Sequence, residues 1–130
     1  MDIKVRVGET DALGHINNTS YFIYMEETRI EFLSEIGIRV HDQDFAFMLA
    51  STKCDFSKQG YFGQTLEVLT EVAKIGTKSI TLLSTIEDKE SGDVIAKGEA
   101  VIVYFDVRMQ QSIKIPESFK TKLGAHLRSA

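Results

Sequence analysis

An α+β fold is what the sequence predicts: one long amphipathic helix near the N-terminus, four later stretches in which apolar residues recur at every second position, and a short terminal helix. The 130 residues fit one ordinary domain spanning residues 1–130, with no internal repeat, Pro/Ser-rich linker or shift of composition to divide it. An alternating segment at the N-terminus brings the strand count to five. Short turns between the strands make the sheet antiparallel, and the width of the helix's apolar face implies that the sheet wraps around it.

The elements follow in chain order. Residues 2–7 alternate polar and apolar, which predicts a strand with Ile3, Val5 and Val7 on one face. Residues 8–18 are rich in turn formers and end in Asn17 and Asn18, whose side chains can each accept a hydrogen bond from the first turn of a helix. From Thr19 to about Ile36, Tyr21, Tyr24, Met25, Thr28, Phe32, Leu33 and Ile36 recur at helical spacing, and Phe22, Ile23 and Ile30 widen the stripe. That helix is about 27 Å long at 1.5 Å per residue, and Gly37 is placed to end it in a left-handed cap. The period then changes to two. Residues 46–56 put Ala46, Met48, Ala50, Thr52, Cys54 and Phe56 on one face, and strands over 64–74, 79–86 and 94–106 follow, joined by a turn at Ile75–Lys78 and a charged hairpin loop at 87–93. Apolar residues on both faces of 94–106 imply that its outer face is covered by the tail or by another subunit. Pro116–Ala130 reads as a short helix carrying Phe119, Leu123 and Leu127.

Composition excludes several classes of function. Apolar residues make up 43% and charged residues 26% with a single Pro, so the chain is neither disordered nor low-complexity. Fifteen Lys and Arg against nineteen Asp and Glu give a net charge of -4 with no basic cluster, which argues against a nucleic-acid partner. Charged residues interrupt every apolar run before membrane-spanning length, and the N-terminus lacks the apolar core of a secretory signal. No membrane association and a cytoplasmic location are therefore expected. The lone Cys54 has no disulfide partner, and no Cys-x-x-Cys or His-x-x-x-His pair offers a metal site, so neither an internal disulfide nor a structural metal is expected.

The chemistry concentrates in Thr10-Asp-Ala-Leu-Gly-His-Ile-Asn-Asn18, where a carboxylate, a glycine, a histidine and two amides sit in one loop feeding a helix N-terminus. Free N–H groups and the positive end of the helix dipole suit the oxyanion that forms when a carbonyl is attacked. Asp11 can serve there as general base on a water or as nucleophile, and Gly14 lets the backbone approach a substrate closely. The competing reading is structural: Asp and Asn commonly brace loops through bonds to nearby backbone. Cys54 fits a small buried hydrophobe, Tyr21 and Tyr24 fit core, Glu26 and Glu27 fit a solvated or Arg29-paired helix face, and His41 and His126 have no companions.

The run from Asp11 to Tyr21, followed by Tyr24-Met-Glu-Glu-Thr-Arg29 and Phe32-Leu33, resembles the Asp-x-x-Gly-His-(Val/Ile)-Asn-Asn-x-x-Tyr signature of hotdog-fold acyl-CoA thioesterases of the 4-hydroxybenzoyl-CoA thioesterase type. The resemblance implies a hotdog domain that hydrolyses acyl-CoA, releasing free CoA and a carboxylic acid, without cofactor or metal. Acyl-carrier-protein thioesters are the alternative substrate. It assigns Asp11 as the catalytic carboxylate and Asn18 as the residue whose backbone N–H polarises the thioester carbonyl. Gly14, His15 and Asn17 then shape the loop. Gly76, Thr77, Lys78 and Ser79 resemble the turn that lies along the pantetheine and nucleotide of CoA, with Lys58, Lys74 and Lys78 as phosphate partners. The site of such enzymes lies between subunits, which implies a homodimer or a homotetramer of paired dimers. Two rivals remain: a hotdog hydratase acting on enoyl thioesters, whose Asp-x-Asn-Pro-x-His pattern is absent here, and a non-catalytic acyl-CoA-binding module.

Overall fold

A computed structural model describes residues 1–128 of the chain. Helix α1 (Asn18–Glu35) packs on the inner face of an antiparallel sheet built from β1 (Asp2–Lys4), β2 (Phe45–Phe56), β3 (Thr65–Ile75), β4 (Ser79–Asp88) and β5 (Val94–Asp106). The strands lie in the order β1-β3-β4-β5-β2, and a two-residue β6 (Gln111–Ser112) adds to β5. A short α2 (Glu117–Gly124) follows. All pairings are antiparallel.

The helix forms where its periodicity places it, one residue earlier at each end. It buries Tyr21, Tyr24, Met25, Thr28 and Leu33 as the stripe requires, while Phe32 is half-buried. Gly37, at φ +84°, ends it. The Gly37 N–H donates to the Ser34 carbonyl at 3.0 Å and the Ile38 N–H to the Leu33 carbonyl at 2.8 Å, the paired bonds of a Schellman cap. Leu33 and Ile38, both 1% exposed, pack in the same cluster and supply the apolar contact that goes with that cap.

Five features depart from the alternation patterns, each for a local reason. The first strand stops at Lys4, because the Arg6 N–H donates to Glu9 Oε1 at 3.0 Å and the chain turns into a 3-10 turn over Val7–Glu9. Val7 is accordingly 72% exposed instead of sharing the face of Ile3 and Val5. In β2 the register shifts between Leu49 and Ser51. A bulge inserts one residue and reverses which parity faces inward, so Phe47 opposes Tyr104 on the inner face while Cys54 opposes Gly98 beyond the bulge. Ala46 and Met48 therefore lie on the opposite face from Cys54. The third departure is topological: β2 pairs with β5 at the far edge and not with β3, since residues 57–64 run past the start of α1 before β3 begins. Fourth, the tail packs on the inner side of β5, where the Phe119 ring lies 5.8 Å from Tyr104 and 6.2 Å from Phe47, so it does not cover the outer face. Finally α2 ends at Gly124, and Leu127 is half exposed beside Val72. The last two residues of the expected terminal helix lie outside the described residues.

Helix and sheet meet closely at Gly98. A Cβ there would fall 1.9 Å from the Met25 sulfur and 2.9 Å from its methyl carbon, so the Met25 side chain fills the space that a side chain at this position would take. Gly98→Ala is expected to lower stability by roughly 1–3 kcal/mol, as overpacking of a filled core does. Urea unfolding measures it, and wild-type stability would show that Met25 can move aside at no cost.

Candidate active site

The loop before α1 closes on itself as a small hairpin. Thr10 bridges Ile16, the Asp11 N–H donates to the His15 carbonyl at 2.8 Å, and the Gly14 N–H donates to the Asp11 carbonyl at 3.1 Å. Gly14 takes φ +78° at the tip, a conformation that explains the glycine better than close approach to a ligand alone. The Asp11 side chain is part of the fold of this loop. Its Oδ1 accepts N–H bonds from Leu13 at 2.8 Å and His15 at 3.0 Å. Among the described residues, no hydrogen bond reaches Oδ2, and the residue is exposed. One carboxylate oxygen thus braces the loop and the other is open to solvent chemistry.

A second segment holds the hairpin from its other side. The Ile16 N–H donates to the Gly60 carbonyl at 2.8 Å and the Phe62 N–H to the Gly14 carbonyl at 2.9 Å. The His15 ring stands edge-on to Tyr61, 5.1 Å between centroids, which gives it a supporting place. Gly60 donates its own N–H to the Tyr21 hydroxyl at 3.1 Å. A Cβ at Gly60 would fall 2.3 Å from the Ile16 Cδ1 and 2.9 Å from that hydroxyl. The linker between β2 and β3 therefore belongs to the site, which alternation in the flanking strands does not reveal.

Asn17 occupies the N-cap position with extended backbone, yet its side chain makes no cap bond. The sequence expectation that both asparagines cap the helix is corrected here for Asn17: its Nδ2 donates to the Thr10 carbonyl at 3.2 Å, and its backbone N–H donates to the Glu9 carbonyl at 2.9 Å. The Ser20 N–H is satisfied by the Asn17 carbonyl at 2.9 Å. Among the described residues the N–H groups of Asn18 and Thr19 have no partner, and both residues are exposed. Two backbone donors and the positive end of an 18-residue helix therefore face outward, beside the hairpin that carries Asp11. The bond from Asn17 to Thr10 is what brings these two features together.

Glu9, unforeseen from the sequence, anchors the arrangement. Its carboxylate accepts the Tyr24 hydroxyl at 2.9 Å and the Arg6 Nε at 2.9 Å. Burial alone would raise its pKa, but the bonds from Arg6 and Tyr24 outweigh this and hold the carboxyl below its ordinary range. Burial, with the bond to Glu9, pushes the Tyr24 phenol well above its usual value. The available signal was chemical rather than periodic: a tyrosine on a buried helix face needs a partner for its hydroxyl.

The remaining expected site residues fall elsewhere. Gly76 to Ser79 form the turn between β3 and β4, closed by the Gly76 N–H on the Ser79 carbonyl at 2.7 Å. It lies at the opposite end of the 10-residue β4, about 30 Å of strand, from the β1 end where the hairpin sits. Lys74 and Lys78 are exposed. Lys58 forms an exposed ion pair with Asp93 at 2.8 Å. Cys54 is half-buried, and burial, with the nearby Asp55 charge, pushes its thiol up to about 11, as an inert structural cysteine requires. Glu26 and Glu27 are exposed on the helix face, whereas Arg29 is buried, at 9% exposed. It lines a cavity of about 170 Å³ with Ile30, Leu33, Phe47 and Leu49, between the middle of α1 and β2. Among the described residues no group of three or more His, Cys, Asp or Glu side chains could hold a metal ion, and no helix is long and apolar enough to cross a membrane.

The profile of the thioesterase-like superfamily matches residues 5–123. The chain belongs to this superfamily. YsmA, an uncharacterised protein of Bacillus subtilis (strain 168), is 32% identical over 101 residues, covering 78% of this chain and 68% of its own length. The acyl-CoA thioesterase YbgC of Helicobacter pylori (strain J99) is 24% identical over 132 residues, covering 96% of this chain and 99% of that protein. Among solved structures, a predicted thioesterase from Bacillus stearothermophilus superposes with a TM-score of 0.87 at 30% identity, over 100% of this chain and 96% of that one. The architecture is the hotdog fold, and the superfamily match extends beyond the Asp11–Tyr21 segment to residues 5–123.

Proposed function

We propose that the hairpin and the open start of α1 form the centre at which this thioesterase-superfamily chain hydrolyses an acyl-CoA thioester to free CoA and a carboxylic acid. The observation that carries this reading is the pair of unpartnered N–H groups at Asn18 and Thr19 beside a carboxylate with one oxygen unengaged. The thioester oxygen docks on the Asn18 N–H, which draws electron density from the carbonyl carbon. In the base route, Asp11 takes a proton from a water whose oxygen bonds to that carbon. The tetrahedral adduct then collapses, the C–S bond breaks, and the proton returns to the CoA sulfur. In the nucleophile route, Asp11 itself displaces the thiolate to form an anhydride, and water cleaves the anhydride at its acyl carbon, giving the carboxylic acid, regenerating the Asp11 carboxylate and supplying the proton that the thiolate takes up. The acyl-CoA thioesterase among the relatives supports CoA as the carrier, and acyl-carrier-protein thioesters are the alternative.

Asp11→Asn preserves size and hydrogen bonding but cannot take a proton or attack as an anion. Turnover should fall about 10²–10⁴-fold while acyl-CoA still binds and the melting temperature holds, measured by thiol release, titration and thermal unfolding. Near-normal turnover would reduce Asp11 to a loop brace. Hydration of an enoyl-CoA without thiol release would favour the hydratase, and binding without product the binding module.

The catalytic unit is a homodimer on this reading. The 76–79 turn and the start of α1 lie at opposite ends of the 10-residue β4, about 30 Å of strand, so on this reading the turn that meets a CoA held at Asn18 belongs to a second copy of the chain. The 12-residue β2 is an edge strand whose Met48 and Leu49 are each about half exposed, 50% and 47%, and an unpaired edge of this kind is a template for a second copy. Light scattering should give the mass of two or four chains, and a fully active monomer would contradict the shared site.

A further inference from the structure

We propose that Glu9 is a positioning residue of the thioester site, setting the aim of the two open N–H groups at the start of α1; this rests on the reading of that helix start given above. Its backbone carbonyl accepts two bonds, from the Asn17 N–H at 2.9 Å and from the Ser20 hydroxyl at 3.0 Å. Those two residues flank Asn18 and Thr19, so a single oxygen straddles the donors that meet the substrate. The carboxylate of the same residue fixes that carbonyl in turn. Oε1 accepts the Tyr24 hydroxyl at 2.9 Å and the Arg6 N–H at 3.0 Å, and Oε2 accepts the Arg6 Nε at 2.9 Å.

Ser20 and Tyr24 are four residues apart and share one helix face, so Glu9 grips α1 at two successive turns. Both gripped residues are buried, Ser20 at 5% and Tyr24 at 1% exposed, and solvent has little access to relax the contact. Every partner of the carboxylate is a donor. A neutral amide at this position would turn an N–H towards one of them and loosen the grip while filling the same volume. The stabilisation of an oxyanion depends on donors already aimed at the place where its charge develops, so a small tilt of the first turn acts on the transition state more than on the bound ground state.

Glu9→Gln is therefore expected to lower kcat about 10-fold to 100-fold, short of the roughly 10²–10³ lost with an entire donor, and to leave KM for acyl-CoA nearly unchanged. Tyr24→Phe removes one donor only and should give a smaller loss with the same split. Rates are to be expressed per folded chain, with the folded fraction read from thermal unfolding. The amide NMR spectrum supplies a readout independent of turnover: in Glu9→Gln the Asn18 and Thr19 signals should shift and the Asn17 amide should exchange faster, while Ser34 at the far end of α1 stays unchanged. Wild-type kcat per folded chain, or a proportional rise in KM accounting for the whole loss, would overturn the proposal. Unmoved Asn18 and Thr19 amides would also overturn it. If the wild-type protein released no thiol from any acyl-CoA, the hydrolysis reading would fail by itself, and the amide spectrum would still decide whether Glu9 sets the helix start.

Discussion

A helix that starts without a cap is the constraint on which the site depends. The Asn17 side chain, at the N-cap position, bonds to the Thr10 carbonyl and leaves the N–H groups of Asn18 and Thr19 open. Omitting such a cap costs a helix about 0.5–2 kcal/mol. Helix α1 tolerates the loss because its stability comes from burial along the rest of its length. Tyr21, Tyr24, Met25 and Leu33 are each 3% exposed or less, Met25 fills the space that Gly98 leaves open in β5, and the Schellman bonds at Ser34 and Leu33 finish the opposite end. The open end can then serve chemistry without the helix fraying.

Openness alone does not polarise a carbonyl; the donors must also be still. Two segments distant in sequence provide that rigidity. Residues 6–9 hold the first turn through the Glu9 carbonyl, and residues 60–62 hold the Asp11 hairpin through backbone bonds to Gly14 and Ile16. Gly60 is what lets the second segment come close enough. The donors therefore meet a developing oxyanion with little reorganisation, and the Asp11 carboxylate is kept beside them by bonds to one of its oxygens only.

Much of this was legible in the sequence because it rests on periodicity and local turn chemistry. The 3.6-residue stripe found α1 to within one residue, and Gly37 sits where left-handed backbone is needed, whereas Gly14 takes that backbone at the hairpin tip where the sequence suggested close approach to a ligand. The Asp11–Asn18 segment announced itself through residue types that favour a loop feeding a helix. What escaped was long-range or depended on breaks in the period. A bulge at Ala50 shifts β2 by one residue, so Phe47 and Cys54 share a face that strict alternation denies them. The Arg6 and Glu9 bonds stop β1 early. Placing β2 next to β5, and Gly60 under Tyr21, requires knowing how the chain closes in three dimensions. The direction of the Asn17 amide had no local signal either, since a capping asparagine and one bonded to Thr10 have the same sequence.

Polarisation of the thioester carbonyl by the open start of α1 can be read from the bond itself. Isotope-edited infrared spectroscopy of an acyl-CoA carrying a ¹³C carbonyl, bound to the Asp11→Asn protein so that it persists, reports the carbonyl stretch in the site. The band should lie clearly below its frequency in water, since fixed N–H donors and the helix dipole weaken the C=O bond more than solvent does. A carbonyl stretch at or above the aqueous frequency, in a complex shown by titration to be saturated, would contradict it.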